Sequence, residues 1–170
     1  MANFKRGSAF SSGEVNASAD AIWAILRDWP AVMKWAAKGP DAPAPLTDTT
    51  LKEGSRVDVL PCTRVCHFAP DSGFPPTFEE TLIHADPEAR RIYYNVEGVA
   101  AGGMRNYLAT TIVEDLGANR ARITCESRFD VPEDGDPDFV KGFLEKVYSM
   151  SVIQGMERVA QQEQAAVAAS

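Results

Sequence analysis

The stretch that decides the fold covers residues 136–168 and reads DPDFVKGFLEKVYSMSVIQGMERVAQQEQAAVA. Asp136 suits a helix N-cap, and Pro137 suits the first helical position because its φ is already near the helical value. Apolar side chains then recur at steps of three and four residues, which predicts one long amphipathic helix. The apolar positions of this helix are Val140, Phe143, Leu144, Val147, Tyr148, Val152, Met156 and Val159.

An amphipathic helix needs an apolar partner surface, and most of the preceding chain has the pattern of strands. Strands are predicted at residues 8–16, 56–62, 77–85, 91–97, 104–115 and 120–131, and two short helices begin near Ser18 and Pro30. Residues 38–50 are predicted as a loop and residues 69–76 as a hairpin tip, because both are rich in Pro and Gly or Ala. The predicted fold is α+β, with a curved antiparallel sheet of about seven strands wrapped around the long C-terminal helix.

Composition limits the class of protein. A chain of 170 residues with 45% hydrophobic and 24% charged residues is expected to form one domain over residues 1–170, without a membrane span. Three cysteines and no secretory signal predict a cytoplasmic location. A net charge of −7 argues against nucleic-acid binding and favours a small neutral or apolar ligand. The oligomeric state is left open, with a homodimer among the alternatives.

A sheet that curves around a helix encloses space, and glycines 142 and 155 are expected to leave room along the helix. The sequence therefore predicts a ligand cavity. No Walker loop, G-x-S-x-G, H-E-x-x-H or dinucleotide-binding motif is present in the chain.

Five segments of the sequence, together with Trp35, carry a resemblance to a known family. The segments are VNASADAIWAILRDW (15–29), FEETL (78–82), DPEARRIYYNV (86–96), RNYLAT (105–110) and ITCESRFD (123–130). They resemble the START and pollen-allergen-like helix-grip superfamily (SRPBCC), especially its polyketide cyclase/dehydrase and lipid-transport branch, and the resemblance extends over residues 8–159. The chain departs from the family pattern at Cys125, where relatives often have tryptophan, and in a longer segment at 62–76. The expectation from Cys125 is a larger cavity.

Three residues are the candidates for catalysis. Glu80 shares a strand face with Phe78 and Leu82. If that face points inward, Glu80 is a desolvated general acid or base; the alternative is that it pairs with an arginine or caps a backbone gap. Tyr94 is expected to donate a hydrogen bond to a ligand carbonyl or enolate, or to fill the core. His67 is a candidate proton shuttle.

Other residues are candidates for ligand binding or metal binding. The expected ligand contacts are Trp35, Tyr94, Tyr107, Ser127, Phe143 and Val147. Cys62, Cys66 and His67 form a C-x3-C-H cluster, but no second Cys/His pair follows at a zinc-site spacing, so no metal site and no cofactor are predicted.

Two functions follow as hypotheses. The resemblance implies a cofactor-free polyketide cyclase or dehydratase that acts on a hydrophobic or aromatic substrate. The alternative is a non-catalytic carrier or sensor of a lipid or other hydrophobic molecule, which would use the same cavity.

Overall fold

Seven antiparallel strands form one curved sheet in the computed structural model, which describes residues 3–170. The order across the sheet is β1-β7-β6-β5-β4-β3-β2. Every neighbouring pair other than β1 and β7 is consecutive in the chain, so most of the sheet is a meander. The strands are β1 (Phe4–Val15), β2 (Leu46–Leu51), β3 (Cys62–Phe68), β4 (Thr77–Asp86), β5 (Arg91–Glu97), β6 (Arg105–Gly117) and β7 (Arg120–Pro132).

Two short helices follow β1, as predicted. Helix α1 (Ala19–Arg27) begins after Ser18, whose hydroxyl accepts a hydrogen bond from the amide of Ala21. Helix α2 (Val32–Trp35) follows a short 3-10 turn at Trp29–Ala31. No helix within residues 3–170 is both long enough and apolar enough to cross a membrane.

The long C-terminal helix is confirmed, with an irregular central turn. Helix α3 (Pro137–Val147) starts at Asp136, whose carboxylate accepts hydrogen bonds from the two amides that follow Pro137. The next six residues, Tyr148–Ile153, form a π-helical turn, and helix α4 (Gln154–Ala168) continues from it. Such wide turns are frequent at functional sites.

The concave face of the sheet and the inner face of α3 and α4 bury the core. The buried positions along the helix repeat the predicted apolar stripe, with Val140, Leu144, Tyr148, Val152, Met156 and Val159 all buried. Phe143 is only partly buried. The expected buried face of the helix is therefore confirmed at most of its positions.

The two helix glycines have different roles from the predicted one. Gly142 is exposed, and a Cβ there would touch nothing within 4 Å. A Cβ on Gly155 would collide with the carbonyl oxygen of Trp35. Gly155 therefore allows α4 to approach the end of α2 closely, and neither glycine leaves cavity space.

The predicted strand at residues 56–62 is wrong, and so is the loop predicted over all of residues 38–50. Val57 and Val59 alternate with polar residues but are 42% and 48% exposed, and the amide of Val59 bonds back to Arg56 in a turn. The strands on either side are β2 and β3. The pattern of β3 is hidden because its inward side includes Arg64, a polar residue at a buried position. Strand β2 has no buried position and no regular alternation.

Candidate functional site

An internal cavity of about 110 Å³ lies between the concave sheet, α2 and the C-terminal helix. Most of its wall is apolar, with aromatic side chains from β3, β4 and α3. Six of the residues singled out from the sequence line it: Trp35, Glu80, Tyr94, Tyr107, Phe143 and Val147. The predicted cavity is therefore present at the predicted interface.

A buried ion pair forms one polar part of the cavity wall. Arg64 on β3 and Glu80 on β4 lie directly opposite each other in the antiparallel register. Arg64 Nε donates to Glu80 Oε2 at 2.7 Å, and Arg64 Nη2 lies 2.5 Å from the same oxygen. The two side chains are 5% and 14% exposed, so this Arg64–Glu80 pair is largely withdrawn from water.

Further contacts hold the guanidinium of Arg64 in place. Its Nη1 donates to the carbonyl oxygen of Trp29 at 2.7 Å. The guanidinium carbon lies 3.7 Å from the ring centroid of Trp29 and 5.9 Å from that of Trp35. Such stacking on an indole ring adds cation–π attraction in a desolvated site. Arg64 is therefore positioned by a carboxylate, a carbonyl and two rings together.

Glu80 shares a strand face with Phe78 and Leu82, and the structure places this face toward the cavity and the core. Among the alternatives for its environment, the structure shows the pairing with an arginine. The thiol of Cys66, which also lines the cavity, lies 3.6 Å from Glu80 Oε2 as a donor. Burial, followed by the nearby charge of Glu80, raises the pKa of the Cys66 thiol. Cys66 therefore stays protonated at neutral pH.

Three tyrosine hydroxyls form a second polar group, here termed the tyrosine cluster. The hydroxyls of Tyr107 and Tyr148 are 2.7 Å apart, and that of Tyr107 lies 3.5 Å from Tyr94 as a donor. Burial raises the pKa of all three phenols, and the proximity of the rings adds to the effect for Tyr94 and Tyr107. The cluster therefore supplies neutral hydroxyl groups rather than phenolate.

Phenylalanines cover one side of the cavity. Phe74, from the hairpin between β3 and β4, stacks on Phe68 with ring centroids 5.1 Å apart. Phe74 also meets Phe143 of α3 at 5.5 Å, and so connects the hairpin to the helix. The segment at 62–76 that looked long in the sequence therefore contributes β3 and part of the cavity wall.

Two residues expected at the site do not line the cavity. His67 lies on the opposite face of β3 from Arg64 and Cys66, and its Nε2 is 3.1 Å from the hydroxyl of Thr50. Ser127 is buried on β7 and is not part of the cavity wall; its hydroxyl lies near that of Tyr148 and partly offsets the rise that burial causes in the pKa of that phenol.

The expected effect of Cys125 is also not seen. Cys125 is fully buried but is not part of the cavity wall, so it does not enlarge the cavity. Burial raises its pKa to about 12.

The C-x3-C-H cluster does not converge on one point. Cys62 and Cys66 face inward, whereas His67 faces outward, because side chains alternate along a strand. Across residues 3–170, no three His, Cys, Asp or Glu side chains meet in a group that would hold a metal ion.

Two residues of the cavity wall, Arg64 and Tyr148, are not singled out as site residues by the sequence pattern. Arg64 lies outside the predicted strands, although its spacing of two from Cys62 and from Cys66 puts it on their face once the strand is known. Tyr148 fits the apolar stripe of the helix, but a buried tyrosine normally needs a partner for its hydroxyl. That requirement was the available sign of a polar group at this position.

A curved antiparallel sheet around a terminal helix, with a cavity between them, defines the class of helix-grip proteins. The chain belongs to the family described as polyketide cyclase / dehydrase and lipid transport, whose model matches residues 9–162. No curated protein sequence matches the chain.

Solved structures of other proteins share the fold at low sequence identity. The protein XoxI from Bacillus cereus superimposes with a TM-score of 0.71 and 19% identity, over 93% of this chain and 98% of that one. A norcoclaurine synthase point mutant from Thalictrum flavum, in complex with a transition-state analogue, gives 0.67 and 20% over 96% and 99%. The Zhui aromatase/cyclase from a Streptomyces species gives 0.68 and 17% over 93% and 95%.

Proposed function

We propose that this protein binds a compact, largely apolar small molecule in the cavity between the sheet and the C-terminal helix. The observation that carries the proposal is the cavity itself, because its wall is mostly apolar and has few polar groups. These are the Arg64–Glu80 pair with the nearby Cys66 thiol, the tyrosine cluster, and the hydroxyl of Ser151, which accepts a hydrogen bond from the amide of Ala37. Small-molecule sites commonly combine an apolar wall with a few placed polar groups.

The size of the cavity favours a short ligand. Dry apolar cavities on the order of 150 Å³ hold one benzene-sized molecule. A cavity of about 110 Å³ is therefore suited to a ligand of no more than one ring, or to a short branched chain. An extended acyl chain would require Phe74 and Phe143 to move apart.

One observation favours catalysis as a second candidate function. The contacts of the Glu80 carboxylate use Oε2, and Oε1 makes no hydrogen bond within residues 3–170. A carboxylate that lines a cavity can accept a proton from a bound substrate. The neutral hydroxyls of the tyrosine cluster can donate to the oxygen of the enolate that would form. This arrangement suits a cofactor-free cyclase or dehydratase step.

Ligand retention tests the binding proposal. Protein purified from its own host is expected to show a bound small molecule in native mass spectrometry. The variant Val147→Trp places an indole in the cavity and is expected to lose that molecule, whereas Lys146→Trp adds the same ring to an exposed position and is expected to keep it. Equal retention by the two variants would contradict the proposed location.

Turnover tests the second candidate. Once a substrate is in hand, Glu80→Gln is expected to bind it and to lose most of the turnover, measured at a temperature at which the variant is folded. Unchanged turnover would remove Glu80 from the mechanism and leave a carrier or sensor.

A further inference from the structure

A buried arginine in a ligand cavity normally attracts a carboxylate, because the guanidinium offers paired donors to a planar anion. In this cavity that position is already filled. Nε and Nη2 of Arg64 both contact Glu80 Oε2, and Nη1 is bound to the carbonyl oxygen of Trp29. The opposite charges of the pair also cancel, so this part of the wall has no net charge for an anion.

One atom of the Arg64–Glu80 pair, the Oε1 oxygen of Glu80, can still accept a hydrogen bond. Glu80 Oε2 accepts hydrogen bonds from the guanidinium of Arg64 and from the thiol of Cys66, while Oε1 has no hydrogen-bond donor among residues 3–170. The Cys66 proton is directed to Oε2, so the thiol does not present a donor to a ligand there. An oxygen of a charged carboxylate that lies in an apolar cavity is stabilised when a ligand donates to it.

We propose that the cavity selects neutral ligands that have an O–H or N–H group, which donates to Glu80 Oε1, and that it rejects carboxylates. This inference rests on the binding function proposed above and names its ligand class. A carboxylate ligand would bring a second negative charge beside Glu80 and would lose its hydration without gaining a free cation. The tyrosine cluster offers hydroxyl donors but adds no positive charge.

The same reasoning predicts a gain of function. If Glu80 is what excludes carboxylates, Glu80→Ala should leave Arg64 with free donors and space beside them. A small carboxylate from solution would then take the place of the missing side chain. Benzoate is expected to raise the thermal midpoint of Glu80→Ala and to leave that of the wild type unchanged.

The direct test titrates the wild-type protein by calorimetry near neutral pH with three probes that share a methyl-substituted benzene ring. The probes are p-cresol, toluene and p-toluate, which differ in the group para to the methyl. We expect p-cresol to bind about tenfold or more tightly than toluene, which corresponds to one added hydrogen bond to a charged acceptor. We expect no saturable binding of p-toluate. The result for the wild type stands even if Glu80→Ala does not fold.

The outcomes separate the two proposals. Equal binding of p-cresol and toluene would overturn recognition by Glu80 and leave the apolar binding function intact. Preferred binding of p-toluate, or stabilisation of the wild type by benzoate, would overturn the exclusion of carboxylates. Failure of all three probes to bind would overturn this proposal, and the retention experiment with Val147→Trp would then decide the binding function by itself.

Discussion

The Arg64–Glu80 pair is expected to make Glu80→Gln strongly destabilising, although the substitution keeps the size of the side chain. Gln removes the negative charge and leaves the Arg64 guanidinium, 5% exposed, without a counterion. Burial of an unpaired charge is costly because the protein interior replaces the lost hydration poorly.

The magnitude follows from the burial of the pair and from the remaining contacts of Arg64. Breaking a buried pair by removing one partner typically costs about 3–5 kcal/mol of unfolding free energy. Arg64 would retain the carbonyl of Trp29 and the indole stack, so we expect the lower end, about 3 kcal/mol. For a chain of this length that corresponds to a fall in the melting temperature of roughly 6–12 °C.

The adjacent residue offers a matched control. Glu79 pairs with Lys52 at 2.6 Å, but the two side chains are 34% and 47% exposed. Exposed ion pairs contribute about 0–1 kcal/mol, so Glu79→Gln should change the unfolding free energy by less than about 1 kcal/mol. Urea unfolding, followed by tryptophan fluorescence, measures both variants on one scale.

The double variant Arg64→Met/Glu80→Leu completes the test. Replacing both partners by apolar side chains removes the stranded charge, so it should recover most of the stability that Glu80→Gln loses. If Glu80→Gln is as stable as Glu79→Gln, the pair is not desolvated in solution and the reasoning is refuted. A double variant that is less stable than Glu80→Gln would show that the charge of Arg64 is not the cause.

The remaining predictions concern the C-terminal helix and the buried thiol and phenol groups. Gly155→Ala should lower the unfolding free energy by about 1–3 kcal/mol, because the new methyl group meets the rigid carbonyl of Trp35. Gly142→Ala, on the exposed side of the helix, should raise the unfolding free energy by about 0.5–1 kcal/mol. Equal effects of the two variants in urea unfolding would contradict the close approach of α4 to Trp35. Leu144→Ala should cost about 2–5 kcal/mol in the same assay, and a loss below about 1 kcal/mol would mean that α3 packs differently. Alkaline pH should destabilise the fold, because burial raises the pKa of six thiols and phenols. The native state therefore keeps protons that the unfolded chain releases from about pH 9 upward. The unfolding free energy should fall by up to about 1.4 kcal/mol per pH unit for each group. A urea midpoint that is flat between about pH 8 and 11 would contradict this prediction. The six groups are Cys62, Cys66, Cys125, Tyr94, Tyr107 and Tyr148.

Local patterns in the sequence were sufficient to predict the helix and most of the strands. The cap at Asp136 and the apolar stripe after it depend on residues within a few turns of each other, so no knowledge of the rest of the chain was needed. The π-helical turn at Tyr148–Ile153 was not predictable in this way, because its apolar spacing is compatible with an ordinary helix.

The failure at β3 has a different cause. Strand prediction assumes that inward positions are apolar, and β3 places Arg64 at one of them. That residue is buried because Glu80 lies opposite it on another strand, with Trp29 and Trp35 beside it. The residues that compensate for the burial of Arg64 lie 16 or more positions away in the chain, and a local pattern does not contain them.

From the sequence alone, strand alternation and helix periodicity predict a curved sheet that holds the C-terminal helix, a cavity between them, and a strand face that Glu80 shares with Phe78 and Leu82. The contacts of the side chains around the cavity are set by the folded chain. It paired Glu80 with Arg64, joined the hydroxyls of Tyr107 and Tyr148, and turned His67 away from the cavity. The physical reason is that a hydrogen bond or an ion pair depends on the distance between atoms from separate elements, and the register and curvature of the whole sheet determine that distance.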